Sequence, residues 1–132
     1  MIKPTEQKLK LTQKTKASAE ILALNAAIIE AIQEVKGLEI LKIDLSYFPE
    51  ASADFFIICS ATSTAHASGI ADRIERDVFI KTGTEVSHIE GKQSKTWMLV
   101  DYFSTVVHIF TEERRQNYRL EYLWGDAPAT KH

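Results

Sequence analysis

An acid and a histidine are set inside two apolar runs. Asp101 follows Trp97-Met98-Leu99-Val100, and His108 lies within Thr105-Val106-Val107-His108-Ile109-Phe110. A carboxylate beside an imidazole orients the ring and raises its basicity, the starting point of general-base catalysis. The same pair serves equally well as scaffolding under a binding face. If Phe103-Ser104 is the loop of a hairpin, Asp101 opposes Val106, Leu99 opposes His108 and Trp97 opposes Phe110, so Asp101 and His108 share one face on a diagonal. Neither loop residue suits the positive φ of a tight hairpin turn, and a longer loop would shift that register. No nucleophile accompanies the pair: Ser60, Ser63, Thr64 and Ser104 occupy cap or turn positions without a nucleophile-elbow pattern. A structural or partner-facing role is therefore favoured over catalysis.

Other chemistries lack their residues. Nucleotidyl transfer needs a Gly-Ser turn followed by an Asp-x-Asp or Asp-x-Glu strand to hold two metals. Here Asp44 stands between Ile43 and Leu45, and Ser60-Ala61-Thr62-Ser63 offers no glycine to cradle a phosphate. Thr62-Ser63-Thr64 would suit an anion at a helix N-terminus, but capping accounts for it. His66, His88, His108 and His132 are 20 or more residues apart, without ligand spacing, so neither metal nor cofactor is expected. The single cysteine, Cys59, excludes an intrachain disulfide and fits a reducing compartment.

The chain of 132 residues has the length of one domain. Its net charge of −2 hides an asymmetry: residues 1–16 hold five lysines and one glutamate, leaving 11 basic and 17 acidic residues in the remainder. Residues 1–18 are expected to form a flexible basic arm, 19–128 an acidic folded body, and 129–132 a loose tail. An acidic body points to a basic protein as partner and leaves the arm at most a peripheral contact with RNA phosphate. No apolar run approaches the ~20 residues of a membrane span, and none at the N-terminus has signal-peptide length, so a cytoplasmic protein is expected.

Periodicity supplies the elements. Ile21, Leu24, Ile28, Ile32 and Val35 predict a helix capped by Ser18 and ended near Gly37, with an apolar face wider than one sheet surface covers, so that a second contact, such as a dimer mate, is expected. Leu41, Ile43 and Leu45 alternate as an edge strand, whereas Phe55-Phe56-Ile57-Ile58-Cys59 reads as a central strand covered on both faces. Thr62 or Ser63 caps a second helix, which buries Ala67, Ile70, Ala71, Ile74 and Val78, leaves Asp77 in water and stops at Gly83. Thr84 to Glu90 alternates weakly, and the hairpin follows. Thr111 begins a last helix with Leu120, Leu123 and Trp124 on one side. The sum is a compact α/β domain with a mixed five-stranded sheet flanked by helices. Tyr102 and Phe103, at the turn, are expected to be partly exposed, with Arg114 nearby, as in a protein-binding patch.

Six strings occur in order: Ala53-Asp54-Phe55-Phe56-Ile57-Ile58-Cys59-Ser60, Ser63-Thr64, Ile89-Glu90-Gly91, Trp97-Met98-Leu99-Val100-Asp101-Tyr102, Val106-Val107-His108-Ile109-Phe110, and Leu123-Trp124-Gly125-Asp126-Ala127-Pro128. Over residues 19–128 they resemble the ribosomal silencing factor, or Iojap, family. The resemblance implies a nucleotidyltransferase-like fold without catalytic residues. It implies binding to large-subunit ribosomal protein number fourteen, a block on joining of the small subunit when nutrients are scarce, and homodimers off the ribosome. Organellar relatives act in large-subunit assembly. The carried-over motifs make Glu90, Trp97, Asp101, Tyr102 and His108 the ribosome-facing group, with Arg114 and Tyr118 beside it; Phe103, which is not part of the family pattern, is expected to add contact area to the same partner-binding face. The chain departs from the family at Ala61, and at Phe103-Ser104, where Gly-Asp is usual.

Overall fold

A computed structural model describes residues 4–132, with side chains from residue 19. The elements are α1 (Pro4–Glu34), β1 (Leu38–Asp44), β2 (Phe55–Ala61), α2 (Thr64–Thr82), β3 (His88–Glu90), β4 (Trp97–Asp101), β5 (Thr105–Thr111), α3 (Glu112–Tyr118), a 3-10 turn (Leu120–Trp124) and β6 (Ala129–Lys131). They form one mixed sheet in the order β3-β4-β5-β2-β1-β6, in which β2 and β5 are parallel and every other pair is antiparallel. The α/β class is as expected; the strands number six rather than five.

The extra strand comes from the residues expected to be a loose tail. Lys42 pairs with Thr130, and the His132 N–H donates to the Ile40 carbonyl at 2.9 Å. An outer edge of β1 would present unpaired backbone groups, and the extended segment after Pro128 satisfies them. β1 is therefore not an edge strand. The first helix also differs from expectation: it starts at Pro4, so Ser18 lies inside it. Pro4 suits a first helical turn, and neither glycine nor proline interrupts residues 5–36. Residues 1–3, and the lysine side chains as far as Lys16, lie outside the described residues.

At the other end of α1 the left-handed residue is Lys36, at φ 60°, and the Gly37 N–H donates to the Ile32 carbonyl. Gly37 is needed for space, because a Cβ there would strike the Ile32 side chain. α2 begins as predicted, with Ser63 Oγ accepting from the His66 N–H at 3.0 Å, and ends at Gly83 with φ 72°. Asp77, expected in water, is buried between Arg73 (2.8 Å) and Arg76 (3.3 Å). Desolvation raises its carboxyl pKa, and the two guanidinium groups more than offset this, leaving it below the usual range.

Both long helices lie on one face of the sheet. Ile28, Ile32, Ile70, Ile74 and Val78 pack there against Ile57, Cys59, Val107 and Ile109. This is the second contact that the wide face of α1 requires, supplied by α2. On the other face Ile43, Ile58, Phe110 and Leu120 form a smaller core with Phe56, Trp97 and Trp124 packed on it. The predicted last helix breaks at Arg119, φ 52°, and the remainder tightens into the 3-10 turn. The break buries Leu120 and lays Trp124 edge-on to Phe48 and Phe56, but leaves Leu123 exposed.

Ile57 is fully buried in the central strand. Ile57→Ala is expected to lower unfolding free energy by about 2–5 kcal/mol, read from urea denaturation.

Candidate functional site

The β4–β5 hairpin has the register expected from the sequence: Trp97 opposes Phe110, Leu99 opposes His108 and Asp101 opposes Val106. Its tip solves the turn problem by strain. The Ser104 N–H donates to the Tyr102 carbonyl at 2.9 Å, a three-residue turn centred on Phe103 at φ 68°. Asp101 holds it shut, its Oδ1 accepting from the Phe103 N–H at 2.7 Å. Phe103 is consequently presented to solvent, 75% exposed.

Tyr102 is not part of this surface. It is 5% exposed and packs in the helix-side core, because pleat alternation sends it to the face opposite Asp101. Burial, with a contribution from Glu75, raises its phenol pKa.

Asp101 and His108 do share a face, but no hydrogen bond joins them. His108 is buried among rings, 4.7 Å from Phe56 and 6.2 Å from Phe110 between centroids, and its Nδ1 accepts from Trp97 Nε1 at 3.1 Å. Accepting at Nδ1 places the proton of the neutral ring on Nε2, which is buried without a partner. Desolvation lowers its pKa from 6.5 to about 4, against a smaller opposing effect of Asp101. The imidazole is neutral at pH 7 and shielded, so it works as a wall of the site and not as an exposed base.

The Asp101 carboxylate instead meets His88, with Oδ2 3.6 Å from Nδ1, while the Nε2 of His88 is 3.6 Å from Glu90 Oε1. The pairing of β3 with β4 sets His88 directly opposite Asp101, and Glu90 opposite Leu99. Trp97 stacks on Phe110 at 5.0 Å, touches Tyr118 at 4.4 Å, and has the Arg114 guanidinium 5.9 Å from its ring centre. Seven of the eight expected residues thus gather around one face, with His108 beneath it. Sequence reasoning missed Leu99 and His88. Leu99 was visible in the alternation Trp97-Leu99-Asp101; His88 depends on a strand pairing that a weak three-residue strand does not advertise.

The remaining candidates are occupied by local structure. Ser63 caps α2, Thr62 N–H donates to His66 Nδ1 at 3.0 Å, and Asp44 Oδ1 accepts from the Ser46 N–H at 2.9 Å. Burial pushes the Cys59 thiol up to about 12, with Arg115 opposing weakly, so it is protonated and unreactive. Among the described residues no group of three or more potential metal ligands assembles, and no helix is long and apolar enough to cross a membrane.

The family described as "Ribosomal silencing factor during starvation" matches residues 16–132. The chain belongs to the ribosomal silencing factor family. A silencing factor from Halalkalibacterium halodurans is 36% identical over 110 residues, covering 83% of this chain and 88% of that one. A mouse protein named for mitochondrial assembly of the ribosomal large subunit is 34% identical over 80 residues, 54% of this chain and 32% of its own length. The crystal structure of a Chromobacterium violaceum protein, 27% identical, superposes with a TM-score of 0.72 over 77% of this chain and 83% of the other. Phe103 takes a positive φ at the hairpin tip that a glycine would adopt without strain.

The folded pKa of His108 lies below the unfolded value, so the unfolded chain takes up the extra proton and stability falls as pH drops from 6.5 toward 4. About 3 kcal/mol is expected to be lost across that window through this one group. In His108→Gln, which keeps an acceptor for Trp97, urea midpoints at pH 7 and pH 4 should differ correspondingly less.

Proposed function

We propose that the open face of β3, β4 and β5 docks on a basic protein of the large ribosomal subunit, large-subunit protein number fourteen, and sterically blocks joining of the small subunit under nutrient limitation. The observation that carries this reading is the composition of the face. Exposed Phe103 and half-buried Trp97 and Leu99 provide apolar anchors, while Glu90 and Asp101 provide charge opposite to that of a basic partner. Apolar anchors within an acidic frame favour fast encounter with a basic surface and a slow release. Repression by occupancy needs no turnover, which suits a buried neutral His108 and an Asp101 committed to a turn. A ribosome-bound repressor of this kind acts in the cytoplasm. Homodimerisation off the ribosome belongs to the same proposal, with exposed Leu22, Phe79 and Ile80 as apolar surface for it.

A second reading, an assembly factor that uses the same face, is favoured by the likeness to the mouse mitochondrial protein. Association with immature rather than mature large subunits distinguishes it. For the first reading, the purified chain should pellet with isolated large subunits at low salt and suppress joining of added small subunits. Normal joining at saturating protein would overturn it.

Two variants probe the face. Asp101→Asn retains an oxygen for the Phe103 N–H while removing the charge, so it should fold normally and weaken subunit binding by about 1–3 kcal/mol in a pelleting titration. Phe103→Gly relieves the left-handed backbone and should raise stability by about 1 kcal/mol in urea denaturation. The same substitution removes an anchor and should weaken pelleting.

A further inference from the structure

The carboxyl ends of the parallel strands β2 and β5 open onto a cleft of about 640 Å³ at one end of the sheet. Open α/β sheets receive small ligands at this position, and the volume suits one. The cleft is walled by α3, the start of β1 and the 3-10 turn, and it is not part of the β3–β5 face.

Its chemistry centres on Arg115, which is 8% exposed. Nη1 donates to the Glu39 carbonyl at 2.6 Å and to Ser60 Oγ at 2.9 Å, and Nε is 3.6 Å from Glu121 Oε1. None of these contacts uses Nη2. The pairing with Glu121 is longer than a charge-assisted hydrogen bond, so this buried guanidinium is only loosely neutralised. Glu121 Oε2 is itself buried without a hydrogen-bond partner. An orphaned carboxylate oxygen beside a loosely paired guanidinium is a polar arrangement awaiting groups of both signs.

The rim repeats that duality. Arg119 lines the cleft from its left-handed position, 5.8 Å over the Tyr122 ring, and Glu112 lines it from the first turn of α3. Two arginines facing the carboxylates of Glu39, Glu112 and Glu121 make the lining net acidic, which disfavours a polyphosphate, while the buried guanidinium disfavours a simple cation. Leu38 and the ring of Tyr122 add an apolar patch.

We infer that this cleft binds a small zwitterion, a free α-amino acid with an apolar side chain. Its carboxylate meets Arg115 and Arg119, its ammonium meets the carboxylates of Glu121 and Glu112, and its side chain rests on Leu38 and Tyr122. Helix α3 and its C-cap present Arg115 and Arg119 to the cleft, and the helix presents Arg114 and Tyr118 to Trp97. A bound amino acid would therefore sit one helix away from the proposed docking face. Any influence on docking presupposes that face; ligand binding does not.

The test is a titration of the isolated full chain, followed by backbone amide NMR, with L-leucine, isocaproate (which lacks the ammonium) and isoamylamine (which lacks the carboxylate). Leucine is expected to shift Ser60, Arg115, Arg119 and Tyr122 saturably, with each analogue at least ~10-fold weaker. Arg119→Gln should weaken leucine ~10-fold without altering the rest of the spectrum, and Glu112→Gln gives the same readout from the ammonium side if Arg119→Gln perturbs the fold. Any of three results overturns the inference: no saturable shift at ~10 mM leucine, isocaproate or inorganic phosphate matching leucine, or variants that bind leucine unchanged. Pelleting with large subunits, measured separately, reports on docking alone.

Discussion

The parallel pairing of β2 with β5, buried on both faces, is the constraint from which the rest follows. Ile57 and Val107 face α1 and α2, while Ile58 and Phe110 face the smaller core. A parallel pair requires a long crossover, and the segment between the two strands supplies it as α2, β3 and β4. Because β4 runs antiparallel beside β5, the hairpin tip falls at Phe103 and the Trp97-Leu99-Asp101 face falls opposite α1 and α2. Site and core are thus two sides of the same strands.

Burial separates the chemistry that the residue types suggest from what they do. His108 is held neutral by desolvation and by accepting from Trp97, and Asp101 is drawn to the Phe103 amide and to His88. Each half of the supposed dyad has better-placed partners than the other half. What remains on the surface is an indole, a phenyl and a phenol ring, a leucine, carboxylates and the Arg114 guanidinium, which is material for recognition. The family to which the chain belongs, named for ribosomal silencing, agrees with a surface that binds.

Arg115 does comparable work on the far side of α3. It bridges the irregular start of β1, the Ser60 hydroxyl of β2 and the 3-10 turn through Glu121. The short helix α3 is thereby tied to the sheet from one flank by the polar contacts of Arg115 and from the other by the packing of Tyr118 against Trp97 and Phe110. Its seven residues would not hold a helical conformation alone, so these tertiary ties fix where Arg114 and Arg119 stand.

Local pattern by itself determined the central strand and the buried stripe and both caps of α2; the register of the β4–β5 hairpin agrees with a two-residue loop that the turn residues themselves did not favour. Apolar periodicity, a capping serine and a terminal glycine act within a few residues and do not await the rest of the fold. It also determined that Phe103 is displayed and that Trp97, Asp101 and His108 share a face. Only the tertiary structure decided that Tyr102 is buried, that Asp77 sits between two arginines, that residues 129–131 complete the sheet, and that Asp101 pairs with His88. Each of those outcomes depends on what a distant segment brings: a helix packed over the pleat, an unpaired β1 edge, or a β3 whose three residues have too little pattern to declare their partner.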